Sequence, residues 1–314
     1  MQSTHKLAVQ YISISEHNAE QRIDNFLFNF LKNVPKTHIY RLLRTGQIRV
    51  NKKRVKAPYK LQIDDVIRIP PLEISDDKPA YQPATSTRIM LLNTIIYEDE
   101  NLLIINKPAG MPVHAGSTLQ GGVIEAFRVI KPELKFLELA HRIDRDTSGC
   151  LIIAKKRSIL KELHELFREG QIKKMYEACV LGKWPSDKKI VNLSLHKNHL
   201  ASGDRKVVVS DSGKSSLTYF KPIQYFEVAT LVEARIATGR THQIRVHAAS
   251  VGHPIAGDDK YGDFAFNRYM KERGCKRLFL HAKQVTFYLK SIDKKISVSS
   301  ALPDDLAFVL AKLK

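Results

Sequence analysis

The sequence predicts an α+β protein in two parts, a small helix-and-hairpin unit followed by a larger domain with a mainly antiparallel sheet. Three observations carry that reading. The chain has 314 residues, roughly twice what one typical domain of about 150 residues organises. Two short amphipathic stretches near the start run straight into a hairpin pattern, and this makes a compact unit of its own. Further on, strand-like and helical runs follow one another without regular βαβ alternation, which argues against a doubly wound parallel sheet.

Residues 1–19 read as an N-terminal extension. From about Gln21, the residues Ile23, Phe26, Leu27 and Phe30 recur at helical spacing and Leu31 continues their face, giving a first helix that ends near Asn33. Pro35 precedes a second helix from Thr37 to Arg44, with Ile39, Leu42 and Leu43 inward and Gly46 as its stop. Ile48 to Asn51, then Lys52, Lys53 and Val55, read as a tight turn between short strands, and Leu61 to Ile69 as one further strand. This unit spans 20–71. Residues 72–88 hold Pro79 and Pro83 among Ser, Thr and acidic residues without periodicity and read as a linker. In the larger part, 89–314, a hairpin is expected at Ile95 to Asn106, with strands at Leu151 to Ala154, Tyr176 to Leu181 and Ala229 to Ala234. Helices are expected at Gly122 to Ile130, Arg157 to Phe167 and Thr241 to Val251.

Lys and Arg outnumber Asp and Glu 51 to 32, a formal charge of +19, while 43% of residues are hydrophobic. A well-packed polycation calls for a polyanionic partner. A membrane is not that partner, since no apolar run reaches the roughly 18 residues of a spanning helix. Met1 to Ser15 lacks the apolar core of a secretory signal, so a cytoplasmic protein is expected, with a monomer as the default state. Cys150, Cys179 and Cys275 are odd in number and form no C-x-x-C pair, as expected of reduced thiols.

Charge is densest between Gln21 and Ile69, where twelve basic residues meet three acidic ones. Lys36, Arg41 and Arg44 on one helix cannot all face a core, and Arg49, Lys52, Lys53 and Arg54 crowd the hairpin. A charge run alone is usually a solvated surface; so much charge in so small a unit points to RNA contact. The stretch QRIDNFLFNFLKNVPKTHIYRLLRTGQIRVNKKRV with LQIDDVIRI resembles an S4-type RNA-binding domain. That resemblance implies binding, not chemistry.

Two polar clusters could carry chemistry. His141-Arg142-Ile143-Asp144-Arg145-Asp146-Thr147-Ser148-Gly149 stands at the entrance to an apolar strand, where loops on rigid sheets often bear function. Gly239-Arg240-Thr241-His242-Gln243-Ile244-Arg245-Val246-His247 opens a helix, with Thr241 as its expected N-cap and Arg245 on a face beside the core stripe. His242, His247 and His253 do not share one helical face, so no metal is expected. No Walker-type or dinucleotide glycine pattern occurs.

With both clusters in view, the chain resembles the RluA/RluC type of pseudouridine synthase. HRIDRDTSG matches the signature H-R-L-D-x-x-T-S-G, and further matches are NKPAG (106–110), KKMYEA (173–178), TGRTHQIRVH (238–247), GHPIAGDDKYG (252–262) and RLFLHA (277–282). Ile143 stands where leucine is commoner. The order of an S4-type domain and this domain is most similar to the members that modify several uridines of large-subunit (23S) ribosomal RNA.

The resemblance implies that Asp144 is catalytic. Breaking the bond between uracil N1 and ribose C1′ needs a nucleophile at C1′ or a base on the sugar, and a carboxylate can serve as either. It further implies that Tyr176 stacks on the base, Ile244 lines the pocket, and Arg245 pairs with Asp144 and fixes its orientation. The target nucleotide must be flipped out, with Arg142 and neighbouring His141 as RNA contacts. An isomerisation implies no cofactor. A non-catalytic S4-type assembly factor, a sibling enzyme acting on tRNA or other rRNA sites, and a glycoside hydrolase using Asp144 and Asp146 are the alternatives.

Overall fold

The computed structural model describes residues 4–31, 34–75, 81–115, 121–186, 190–199 and 205–313. These divide into two compact units that meet in sequence at Tyr81 and Gln82.

The first unit contains β1 (Thr4–Leu7), β2 (Gln10–Ser13), α1 (Ile23–Phe30), α2 (Lys36–Arg44), β3 (Arg49–Val50), β4 (Lys53–Arg54), β5 (Val66–Ile69) and β6 (Leu72–Ser75). The helices bury most of the residues their spacing predicts, Ile23, Phe26 and Leu27 on α1 and Ile39, Leu42 and Leu43 on α2, but Phe30, expected on the same face at the last position of α1, is exposed. α1 stops at Phe30, and Asn33 lies outside the described residues. Asn51 and Lys52 close the β3–β4 hairpin with positive φ of 49° and 66°, as a two-residue hairpin turn requires.

The single strand expected from Leu61 to Ile69 is only its last four residues. Buried Asp65 accepts hydrogen bonds from Asn51 Nδ2, Tyr59 Oη and the Gln62 amide, and Asp64 has φ 66°. That knot bends residues 62–65 into a turn. The expected extension also holds structure, since β2 pairs with β5 and β1 with β6. β6 itself lies in the segment read as linker. Pairing supplies hydrogen-bond partners to these short strands.

The second unit contains α3 (Thr85–Leu92), β7 (Ile95–Glu98), β8 (Leu102–Lys107), α4 (Val123–Ile130), β9 (Glu138–Leu139), β10 (Ser148–Ala154), α5 (Arg157–Arg168), β11 (Lys173–Leu181), β12 (Ile190–Asn192), β13 (Leu195–His199) and β14 (Arg205–Val209). It continues with β15 (Leu217–Tyr225), β16 (Ala229–Ile236), α6 (Gln243–Ser250), α7 (Phe264–Glu272), β17 (Leu280–Leu289), β18 (Lys294–Ser299) and α8 (Asp304–Ala311). α3 begins within the expected linker; it buries only Leu91 and so leaves no amphipathic signal.

The expected antiparallel sheet is present, in the order β12-β15-β16-β11-β17-β10-β8-β7, with β18 and β9 joined to β17 and β10. Among the described residues one junction is parallel, β10 with β17, two residue pairs long: Ser148 with His281 and Gly149 with Ala282. β10 is buried along its whole length, so it reads as a continuous apolar run. Gly149 has φ +111°, and a Cβ there would stand 2.3 Å from the Ala282 carbonyl oxygen. Only glycine permits both the left-handed turn and that approach.

One buried and one half-buried side chain hold the polar loop ahead of β10. Lys107, fully buried, donates to the carbonyls of Pro108, Met111 and Arg145 at 2.7, 2.9 and 2.9 Å. Burial pushes its ammonium down to about 7, against the pull of Asp146 and Asp144; three accepting carbonyls still ask for three N–H bonds, which only the ammonium has. His141 Nε2 accepts the Ile152 amide at 3.0 Å, and its ring packs on Phe167. Its Nε2 is thus committed to β10, while the half-buried ring keeps some exposed surface. Burial, with Lys174 nearby, pushes this imidazole down to about 3.

Gly149→Ala is expected to destabilise the second unit by more than about 3 kcal/mol, read as a drop in thermal midpoint. The His141 ring protonates near 6.5 when unfolded and about 3 when folded. It therefore adds stability that is complete above about 6.5 and is lost as the pH falls toward 3. Denaturant titrations over that interval should show wild type losing stability toward acid more steeply than His141→Gln.

Candidate active site

Asp144 stands in the loop before β10, with its side chain 26% exposed. Across from it, Arg245 projects from α6 and is all but buried. Arg245 grips Asp258 through two hydrogen bonds, Nε to Oδ2 at 2.8 Å and Nη2 to Oδ1 at 2.7 Å, and reaches Asp144 Oδ2 with Nη1 at 3.3 Å. Such a planar fork fits a carboxylate with two parallel bonds. Burial alone would lower the pKa of the guanidinium, but Asp258 and then Asp144 hold it well above its ordinary value. Burial would likewise raise the Asp258 carboxyl; Arg245 and the amides of Lys260 and Tyr261 keep it below the usual range. The result is a fixed cation beside the exposed carboxylate.

The start of α6 differs from expectation. His242, not Thr241, occupies the N-cap position, with φ 53° and ψ 21° in the left-handed region, a conformation that costs roughly 1–3 kcal/mol for a non-glycine residue. Gln243 folds back instead, its Oε1 accepting the Arg240 amide and the Thr238 hydroxyl at 3.0 and 2.7 Å. Residues Gln243 to Ala248 are all buried. Arg245 is thus delivered from within a core helix, whereas its spacing predicts a face beside the core stripe. His247 locks the helix to the sheet through Ser216 and Thr218.

Tyr176 lies on β11 where the register with β17 slips. Ala282 and Lys283 both stand opposite it, a bulge of the kind that re-aims side chains near functional sites. Burial, with the charge of Asp144 added, pushes the Tyr176 phenol up, so it stays protonated. Ile244 is buried in the same apolar cluster as Tyr176. Arg142 is exposed beside His114, with no hydrogen bond or ion pair among the described residues. The structure thus brings Asp144, Arg245, Tyr176 and Ile244 together in the second unit. In the first unit Lys36, Arg41, Arg44, Arg49, Lys52, Lys53 and Arg54 are all exposed.

Sequence reasoning assigned no role to Lys107, Asp258 or Tyr261, although all three lie in the quoted NKPAG and GHPIAGDDKYG stretches. Asp258 anchors the arginine, and Tyr261 packs its ring 5.2 Å from the guanidinium. A buried acid following a tight glycine turn was the available signal. No group of three His, Cys, Asp or Glu among the described residues could hold a metal ion.

Residues 101–250 match the family described as RNA pseudouridylate synthase, and residues 21–67 match the S4 domain. The chain is 50% identical over 309 residues to the ribosomal large subunit pseudouridine synthase C of Vibrio cholerae, covering 98% of this chain and 97% of that one. It is 48% identical over 310 residues to the protein of that name from Escherichia coli, with the same coverage of 98% and 97%. Among solved structures, human RNA pseudouridylate synthase domain containing 4 superposes with a TM-score of 0.60 at 24% identity, covering 73% of this chain and 95% of that one; this supports the fold. With half its residues shared over nearly its whole length, the chain belongs to the RNA pseudouridylate synthase family and is an RNA pseudouridine synthase carrying an S4 domain.

Proposed function

We propose that the enzyme isomerises several uridines of large-subunit ribosomal RNA, with Asp144 opening the glycosidic bond. The observation that carries this reading is the Arg245–Asp144 contact at 3.3 Å. A permanent cation fixes one oxygen of a half-exposed carboxylate beside a buried tyrosine. Bond cleavage between N1 and C1′ needs such a carboxylate near the sugar. The detached uracil must then turn and rejoin through C5 without escaping, which a closed apolar pocket allows. The Tyr176 ring stacks on the base and Ile244 forms the pocket wall. Arg142, exposed at the rim, fills the space left by the flipped nucleotide.

The names of the relatives, ribosomal large subunit pseudouridine synthase C, support large-subunit RNA as the substrate. Residues 20–71 are the unit that docks it, and the seven exposed cations from Lys36 to Arg54 meet its phosphates, a contact that weakens with salt. The domain at 89–314 carries the chemistry. The enzyme works as a monomer in the cytoplasm, where its substrate is made, and a formal charge of +19 supports attraction to RNA. No cofactor takes part.

The test is to incubate the protein with large-subunit RNA transcribed without pseudouridine and map the product by carbodiimide-dependent reverse-transcriptase stops. Several discrete stops are expected with wild type and none with Asp144→Asn, a loss of more than about 10³-fold. Stops only on tRNA, or stops retained by the variant, would overturn the substrate or the catalytic residue respectively. Lys52→Glu combined with Lys53→Glu should weaken RNA affinity by roughly ten-fold or more at low salt and flatten its salt dependence, measured by filter binding.

A further inference from the structure

His242 is the one residue at the site that holds a strained backbone, and no role has been given to it. Its imidazole is placed by a chain of contacts. Nδ1 lies 2.8 Å from the Tyr261 hydroxyl. That hydroxyl oxygen already accepts the Val207 amide at 2.9 Å, from strand β14. Tyr261 is further held by its amide on Asp258 and by its ring against Arg245. Val207 can only donate, so the arrangement that gives the Tyr261 proton an acceptor within the protein is Oη–H donating to Nδ1. The tautomer that follows carries its proton on Nε2. Nε2 is 3.9 Å from Asp144 Oδ2, the oxygen that Arg245 also addresses. Burial lowers the pKa of the ring, Asp144 opposing this and Arg245 and Lys260 adding to it, in keeping with a neutral donor.

We propose that His242 is a positioning residue for the catalytic carboxylate: Tyr261 and Val207 fix its ring so that Nε2–H, with Arg245, holds Oδ2 of Asp144 and turns Oδ1 toward the ribose. At 3.9 Å the contact is long for a hydrogen bond; catalytic hydrogen bonds commonly tighten once substrate is bound. The left-handed backbone is then explained, because a right-handed start to α6 would carry the ring elsewhere. The β13–β14 hairpin, through Val207, becomes part of the same support, so RNA seated against it would act on the carboxylate. Two donors on one oxygen leave the other free, and no described residue donates to Oδ1.

This inference rests on the reading of Asp144 as catalytic, and the experiment separates the two. Large-subunit transcript carrying tritium at uridine C5 is mixed with saturating enzyme, and release of label is timed in a single turnover. No release by wild type overturns the activity reading on this substrate. Given release by wild type, Tyr261→Phe, which removes one hydroxyl and keeps the ring, should slow it about ten-fold or more with RNA affinity unchanged. His242→Asn, which tolerates the left-handed backbone but cannot reach Asp144, should slow it as much or more, and His242→Gln should restore part of the rate. The double variant Tyr261→Phe/His242→Asn should be no slower than His242→Asn alone, because the two residues act as a unit. Wild-type rates in both single variants, losses confined to RNA affinity, or losses that multiply in the double variant overturn the proposal.

Discussion

Arg245 is a buried cation between two carboxylates, and the site is arranged around that fact. A guanidinium removed from water is strongly unfavourable unless paired and hydrogen-bonded. Asp258 supplies the pairing, fully buried and held by two backbone amides. One nitrogen is left over, and it is the one that meets Asp144. Asp144 can thus stay half exposed, open to a substrate, while its orientation is set from behind. The pair Arg245–Asp258 is structural support, and Asp144 is the partly exposed end of the same network, the group proposed to react.

That network draws on three backbone elements, the loop before β10, β11 and α6, and the central sheet anchors them. β10 and β11 flank β17, so the loop carrying Asp144 and the strand carrying Tyr176 share one neighbour. The close approach of Gly149 to Ala282 and the slip of β17 opposite Tyr176 occur at the same place. Lys107 and His141 then fasten the loop from beneath. The loop is polar at its surface and ordered from within by these two side chains.

Much of this was legible in the residues. The spacing of Ile23, Phe26 and Leu27 and of Ile39, Leu42 and Leu43 located α1 and α2, because amphipathic faces leave a period. The long motifs around Asp144, Tyr176 and Arg245 named these residues through resemblance, and the structure places them near one another. α3 escaped because one buried leucine leaves no period, and β6 because pairing with β1 is decided far away in sequence. α6 misled for the opposite reason: a helix buried on every side has no face to read, so Arg245 was placed beside the core instead of within it. The left-handed His242 and the anchoring role of Asp258 depend on contacts between segments, which a single stretch cannot display. The hold of His141 on the Ile152 amide was not legible either, because a backbone group has no sequence signature.

The central claim, that Asp258 acts on catalysis by fixing Arg245 and hence Asp144, is tested most directly by Asp258→Asn. The amide keeps the shape but loses the charge and presents an N–H toward the guanidinium. Breaking such a buried pair costs about 3–5 kcal/mol of stability, so the measurement is made at a temperature where circular dichroism shows the variant folded. Single-turnover release of tritium from uridine C5 should slow by about 10²-fold, with RNA affinity within about two-fold of wild type. A folded variant that turns over at the wild-type rate would contradict the account.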